Sequence, residues 1–296
     1  MSLRKPTLFQ GVATALITPF RGGELDRTAL CRLIEEQIEG GVAAILVAGT
    51  TGESSTLSFA EHGEVIEAAR DCIRNRVPLL AGCGSNCTSR AAELAKIACR
   101  SGADGLLAVT PYYNKGTDSG ILKHFQAIAE AASKPLVVYS VPARTGVALR
   151  MRHYRELAKL ENVVGVKEAS GDLALLGELC AECGDRLDVY TGNDDNTVLA
   201  MRLGAKGVVS VCSNVAPRGM SEIYRLCAAG EWKRASERAA RLRPLIDGLF
   251  REVNPVPVKY LAHLMGYCEN EYRLPLTPPT RETQRLLREL LTAEVR

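Results

Sequence analysis

One repeated pattern constrains the fold of this chain more than its composition does: a short apolar run, a polar loop, then a segment with apolar residues three and four apart. Runs that read as strands lie at residues 12–18, 43–49, 78–82, 105–111, 135–142, 163–168, 188–193 and 207–213. Starts spaced roughly 20 to 35 residues apart suit a strand, a crossover helix and the next strand. The helices between them are legible from their stripes. Leu30, Leu33, Ile34 and Ile38 mark one and Ala91, Leu94, Ala95 and Ala98 another, with Gly40 and Gly102 placed to end them. Strands apolar on both sides predict a parallel sheet covered by helices. A (β/α)8 barrel and a doubly wound sheet both satisfy this. No Gly-x-Gly-x-x-Gly opens a helix after the first run, and Gly82-Cys83-Gly84 lacks the third glycine. The α/β fold expected is therefore a (β/α)8 TIM barrel.

The strand signal stops near residue 220. Residues 220–229, 231–250, 258–265 and 280–291 read as helices, broken by Gly230, by Asn254-Pro255-Val256-Pro257 and by a proline-bounded segment from Pro275 to Pro279. The expected organisation is a catalytic barrel over residues 1–224 and a helical C-terminal extension over residues 225–296.

Bulk properties exclude several function classes. Among 296 residues, 46% are hydrophobic and 24% charged, and the net charge is only +3. With no basic block, nothing points to nucleic acid or an anionic membrane as a partner. The first residues, Met1-Ser2-Leu3-Arg4-Lys5-Pro6, lack the apolar core of a signal peptide, and no run approaches membrane-spanning length, so a cytoplasmic location is expected. The ten cysteines are scattered, and Cys72, Cys99, Cys212 and Cys227 sit in apolar patterns, where free thiols behave as small hydrophobes. Cys180-Ala181-Glu182-Cys183 closes a helix and has no second pair or nearby histidine, which suits neither zinc nor a redox motif. His62, His124, His153 and His263 all fall away from strand ends and are read as structural; no metal site is expected.

Barrels of this class collect their chemistry at the C-terminal ends of the strands. There, Val163-Val164-Gly165-Val166 leads into Lys167-Glu168-Ala169-Ser170. A lysine at the end of a buried strand loses hydration, its pKa falls, and its free amine becomes available to attack a carbonyl. The competing reading is a lysine that snorkels to solvent or pairs with Glu168. Gly49-Thr50-Thr51-Gly52-Glu53-Ser54 follows the second strand and offers hydroxyls and backbone N–H groups to an anion; without a Walker lysine, a carboxylate suits it at least as well as a phosphate. Thr110-Pro111-Tyr112-Tyr113-Asn114 ends the fourth strand, and Tyr139-Ser140-Val141-Pro142-Ala143-Arg144-Thr145-Gly146 ends the fifth. A phenol beside a lysine can shuttle protons, and Arg144 can grip a carboxylate with two hydrogen bonds. Gly207-Val208-Val209 would form an apolar wall.

These motifs, in this order, resemble the dihydrodipicolinate synthase family. The likeness extends to Asn254-Pro255-Val256-Pro257-Val258-Lys259 and to Leu274-Pro275-Leu276. It implies a barrel with a helical extension that condenses pyruvate with aspartate semialdehyde in lysine and diaminopimelate biosynthesis. By position, Lys167 would form the imine with pyruvate and Tyr139 would act as acid and base. Thr50 and Tyr113 would complete a proton relay. Thr51, Gly192 and the backbone near Val209 would hold pyruvate, and Arg144 would bind the carboxylate of the semialdehyde. No cofactor beyond the lysine imine is implied. Tyr113 would cross a subunit interface, implying a homodimer or homotetramer.

Two departures from the family pattern stand out. Ser140 replaces an asparagine that many relatives carry. The lysine-feedback site of some relatives maps to Ser54, Ser55, Phe59, His62, Asn86, Arg90 and Tyr112, and lysine-sensitive members carry a histidine for Phe59 and a glutamate for Arg90. A guanidinium facing a cationic effector reverses the sign of that contact. A vestigial site at Ser55, Asn86, Arg90 and Tyr112, with weak or absent lysine inhibition, is expected. Two other readings stay open: a sibling lyase or aldolase acting on N-acetylneuraminate, 2-keto-3-deoxygluconate or another 2-keto acid, and a non-catalytic pyruvate-binding paralogue. Arg144 favours the synthase over sugar-acid lyases, several of which carry an apolar residue there.

Overall fold

The computed structural model describes residues 5–294. Eight parallel strands close into a barrel in chain order: β1 (Gly11–Ala15), β2 (Ala44–Val47), β3 (Leu79–Gly82), β4 (Gly105–Val109), β5 (Leu136–Ser140), β6 (Val163–Glu168), β7 (Asp188–Thr191) and β8 (Gly207–Ser210), which pairs back on β1. This is the expected TIM barrel. Six strands stop two or three residues before the expected apolar runs do, because the remaining residues turn off the ladder into the loops of the C-terminal face.

Strand alternation divides the apolar residues between two cores. Ala13, Ala15, Ala44, Leu46, Leu80, Leu107, Val137 and Val209 fill the barrel interior, which Phe9 plugs from below by stacking on Tyr190 at 4.2 Å. Val12, Ile45, Val47, Leu79, Ala81, Leu106, Ala108, Leu136 and Val138 face outward and pack against the helices.

The alternation breaks once, in β6. Leu136 pairs with Val163 but Val137 pairs with Gly165, so Val164 is an extra residue against β5. Val163 faces outward, and strict alternation would send Lys167 outward with it. The bulge shifts the phase by one residue, so Lys167 points inward. Glycine is needed at 165, where a Cβ would lie 2.8 Å from the Asp188 carbonyl oxygen.

The outer ring comprises α1 (Arg27–Glu39), α2 (Phe59–Ile73), α3 (Thr88–Arg100), α4 (Asp118–Ala131), α5 (Met151–Leu157), α6 (Leu173–Cys183), α7 (Thr197–Arg202) and α8 (Pro217–Ala228). Their starts are capped locally. The Asp26 carboxylate accepts the Ala29 N–H, and Ser58 and Glu61 form a reciprocal capping box on α2. The stripes read from the sequence face the core: Leu30, Leu33 and Ile34 are buried on α1, and Ala91, Ala95 and Ala98 on α3.

The cysteine expectation needs one correction. Cys72 is bonded to Cys31, with Cα atoms 5.3 Å apart, and so ties α1 to α2. The two helices pack side by side, which brings together two apolar positions 41 residues apart. Cys180 and Cys183 end α6, and burial raises both thiol pKa values, that of Cys180 to about 11.

The extension comprises α9 (Trp232–Leu249), α10 (Val256–Leu264) and α11 (Arg281–Glu294). The expected division after residue 224 falls inside α8. Among the described residues, no helix is long and apolar enough to cross a membrane.

Candidate active site

Lys167 and Tyr139 are register partners on β6 and β5, and both point into the barrel. The Lys167 ammonium lies 4.2 Å from the centroid of the Tyr139 ring. Lys167 is only 5% exposed, and burial lowers its pKa to about 8, against a smaller opposing pull from Asp194 and a further downward push from Arg144. At neutral pH about a tenth of it is then free amine, against a few parts in ten thousand for an ordinary lysine. Burial raises the Tyr139 phenol to about 12, so it is protonated at neutral pH.

Glu168, the carboxylate next to Lys167 in sequence, is not its partner. It faces the other way, accepts a hydrogen bond from the Tyr154 hydroxyl, and another from the Ser170 N–H at 2.6 Å. The carboxylate acting on Lys167 is Asp194, just past β7. Its Oδ2 accepts the N–H groups of Val211 and Cys212 at 3.0 and 2.9 Å, which hold the carboxylate in place, while burial raises its own pKa.

A cavity of about 80 Å³ sits over Lys167 at the strand C-termini. Thr50, Thr51, Tyr139, Arg144 and Gly192 all line it. Gly192 has a geometric reason to be glycine: a Cβ there would lie 2.7 Å from the Lys167 Cε. Val209 is buried in the barrel interior, and Val211, two residues on, lines the cavity instead. The expected wall of Gly207, Val208 and Val209 does not form, because alternation turns Val208 outward to the helices. Ser140 is buried opposite Glu168 and does not line the cavity.

Tyr113 stands apart. It is 89% exposed at a turn with φ +70° and lines neither this cavity nor the larger one beside it.

The extension contributes two residues that the sequence did not single out individually. Phe250 and Asn254 line the cavity. The Asn254 amide donates to the Thr51 hydroxyl oxygen at 2.9 Å, and its backbone oxygen accepts from the Arg144 guanidinium at 2.9 Å. The Thr50–Thr51 loop is further held by Glu53, which has φ +53° and a fully buried carboxylate 2.5 Å from the Lys259 ammonium of α10. That ammonium also lies 4.3 Å from the Phe20 ring centroid. Lys259 stood in a motif recognised only as a whole, and no local pattern pairs it with a glutamate 206 residues away.

A second cavity of about 230 Å³ adjoins the first and gathers Ser54, Ser55, Phe59, His62, Arg90 and Tyr112. Asn86 does not line it; its carbonyl oxygen accepts from the Asn114 side chain. The Arg90 guanidinium lies 5.4 Å from the Phe59 ring centroid. His62 donates from Nε2 to the Gly82 carbonyl oxygen at 2.6 Å, and burial lowers its pKa. His124, His153 and His263 are bonded to Thr88, Asp118 and the Cys268 carbonyl oxygen respectively, all away from the Lys167 cavity.

The whole chain has close counterparts among known proteins. Residues 8–294 match the model of the dihydrodipicolinate synthetase family. A 4-hydroxy-tetrahydrodipicolinate synthase of Syntrophus aciditrophicus is 44% identical over 284 residues, covering 96% of this chain and 98% of that one. A solved dihydrodipicolinate synthase from Aquifex aeolicus is 42% identical with a TM-score of 0.94, covering 97% of this chain and 100% of that one. The chloride-inhibited dihydrodipicolinate synthase of Acinetobacter baumannii, solved with pyruvate, is 41% identical with a TM-score of 0.94, over 97% of this chain and 99% of that one. A buried, inward-turned lysine under a tyrosine, at the mouth of a barrel matched along nearly its full length, leaves one assignment: the chain belongs to the dihydrodipicolinate synthetase family.

Proposed function

We propose that this protein condenses pyruvate with L-aspartate 4-semialdehyde through a lysine Schiff base, giving 4-hydroxy-tetrahydrodipicolinate for lysine and diaminopimelate biosynthesis. The observation that carries this reading is Lys167: a buried amine of lowered pKa, turned into a small cavity beside a protonated phenol.

The free Lys167 amine attacks the pyruvate carbonyl carbon, and the carbinolamine loses water to leave a protonated imine. Tyr139 donates the proton that lets water depart. The imine nitrogen then draws the electron pair released when a proton leaves the pyruvate methyl carbon, so no metal is required. The resulting enamine carbon attacks the aldehyde of the second substrate. Its new alkoxide is protonated, and the substrate amine displaces Lys167 to close the ring.

Thr50, with Tyr139 and Tyr113, would form the proton relay. Thr51 and the backbone around Gly192 would hold the pyruvate carboxylate, and Arg144 the carboxylate of the semialdehyde. An exposed Tyr113 is suited to this role only if it enters the site of a second protomer, so the active form is proposed to be a homodimer or homotetramer. The barrel, residues 1–224, would supply the chemistry and the extension, residues 225–296, would cover its mouth. The proposed location is the cytoplasm.

The test is a coupled assay with pyruvate and aspartate semialdehyde, run beside cleavage of N-acetylneuraminate and of 2-keto-3-deoxygluconate. Saturable condensation with negligible sugar-acid cleavage supports the reading. Preferred sugar-acid cleavage would move the enzyme to a sibling activity. No adduct on borohydride reduction with pyruvate would make it a binding protein only.

A further inference from the structure

Asn214 lies in the turn after β8, fully buried, and every polar atom of its side chain is used. Nδ2 donates one hydrogen to the Ala15 carbonyl oxygen at 2.8 Å and the other to the Val211 carbonyl oxygen at 2.9 Å. Oδ1 accepts the Ile17 N–H at 3.0 Å. The last paired residues of β1 and β8 are Thr14 and Ser210. Beyond them Asn214 carries the connection, tying the turn to the end of β1. Gln37 of α1 backs it: Nε2 donates to the Asn214 carbonyl oxygen at 3.3 Å, and Oε1 accepts from the Thr14 hydroxyl at 2.7 Å.

One of these bonds leads to the reacting lysine. The Val211 carbonyl and the Cys212 N–H belong to the same peptide, which is planar and trans, so the two point in opposite directions. Asn214 holds the carbonyl, and the N–H on the far side goes to Asp194 Oδ2 at 2.9 Å, beside the Val211 N–H at 3.0 Å. Burial favours the neutral form of Asp194, while Ser210, these two N–H groups and Lys167 favour the charged one. The charged carboxylate in turn pulls the Lys167 pKa upward.

We infer that Asn214 is a positioning residue for the Schiff-base chemistry: by aiming the Cys212 N–H, it keeps Asp194 set as the countercharge of Lys167 and of the imine formed there. The inference rests on the proposed condensation and deepens it. An asparagine that only closed the seam between β1 and β8 would matter for stability and leave the ionisation of Lys167 alone. The groups acting on that ionisation are Asp194 after β7, Arg144 after β5 and the Tyr139 phenol on β5, with Glu168 turned to the other face of β6. A weakened clamp favours neutral Asp194, so the upward pull on Lys167 fades and its free amine persists to lower pH.

The experiment records the pH profile of borohydride-trapped pyruvate adduct, steady-state turnover and urea unfolding for five proteins. These are wild type, Asn214→Ala, Asp194→Asn, the double variant and Gln37→Met, which removes a buried bond of the same network without touching the Val211 carbonyl. Asn214→Ala should move the acid limb to lower pH by about half a unit or more. It should also lower turnover about tenfold, the worth of one hydrogen bond to a charged group. In the double variant the limb should lie where Asp194→Asn alone puts it, because both substitutions act on one charge. Gln37→Met should lower the unfolding midpoint and leave the limb in place. Should Asn214→Ala fail to fold, Asn214→Cys takes its place with the same expected shift, since a thiol fills more of the space but is a poor donor. An unmoved limb in the Asn214 variant, shifts that add in the double variant, or an equal shift in Gln37→Met each overturns the inference and leaves Asn214 a seam closure. Absence of a wild-type adduct at every pH would instead overturn the proposed function itself.

Discussion

At Lys167 three influences act on one nitrogen. Burial lowers its pKa to about 8, Asp194 pulls it back up, and Arg144 pushes it further down. Below about pH 8 each unit should cut the free amine roughly tenfold. The initial rate of borohydride-trapped pyruvate adduct should follow that acid limb, and a flat profile between roughly pH 6 and 9 would contradict it. Asp194→Asn keeps an oxygen for the Val211 and Cys212 N–H groups but removes the charge that raises the lysine. The acid limb should therefore move to lower pH, while turnover drops because the cationic imine loses its nearby countercharge. An unmoved limb would show that Asp194 serves the loop alone. Lys167→Ala should abolish the adduct while leaving the far-ultraviolet circular dichroism unchanged. The motif around Lys167 was legible in the sequence; Asp194 was not. Nothing local distinguishes a carboxylate clamped by two backbone N–H groups from a solvated one.

At the scale of the element, β6 was readable as a strand with its correct limits, yet the direction of its lysine was not. Four apolar residues before Lys167 are compatible with either face, and only pairing with β5 reveals that Val164 is extra. Gly165 is where the bulge can be disturbed without replacing a residue that lines the cavity. An added methyl would lie 2.8 Å from the Asp188 carbonyl oxygen and 3.3 Å from the Tyr190 ring. Gly165→Ala should cost about 1–3 kcal/mol in urea unfolding, the usual range for overpacking. Because β6 must shift to relieve the contact, adduct formation with pyruvate should slow as well. Full stability with full trapping would show that β6 tolerates the side chain. Gly207-Val208-Val209 shows the same limit: taken as a wall, it is divided by alternation between interior and helices, and the cavity takes Val211 instead.

Over the whole molecule, the extension braces the Thr50–Thr51 loop through the buried Glu53–Lys259 pair, both side chains fully excluded from solvent. Lys259→Met would strand the Glu53 carboxylate and should cost about 3–5 kcal/mol, read as a lower denaturation midpoint. Adding Glu53→Gln should recover part of that loss, and no recovery would mean that packing rather than charge holds the loop. The cavity carrying Arg90 adjoins the Lys167 cavity and shares Thr50, Val141 and Arg144 with it, so an effector there could reach the reaction. With a guanidinium in place, millimolar lysine is expected to leave turnover within about twofold. Strong inhibition below a millimolar in a steady-state assay would refute that. Fold class, the order of the strands and the residues at their ends were all present in the amino-acid pattern, because periodicity and turn chemistry act over a few residues. The inward turn of Lys167, its countercharge Asp194, the Cys31–Cys72 link and the bracing of the loop by Asn254 and Lys259 were decided only by tertiary structure. Each depends on a contact between segments far apart in the chain, where no local preference operates.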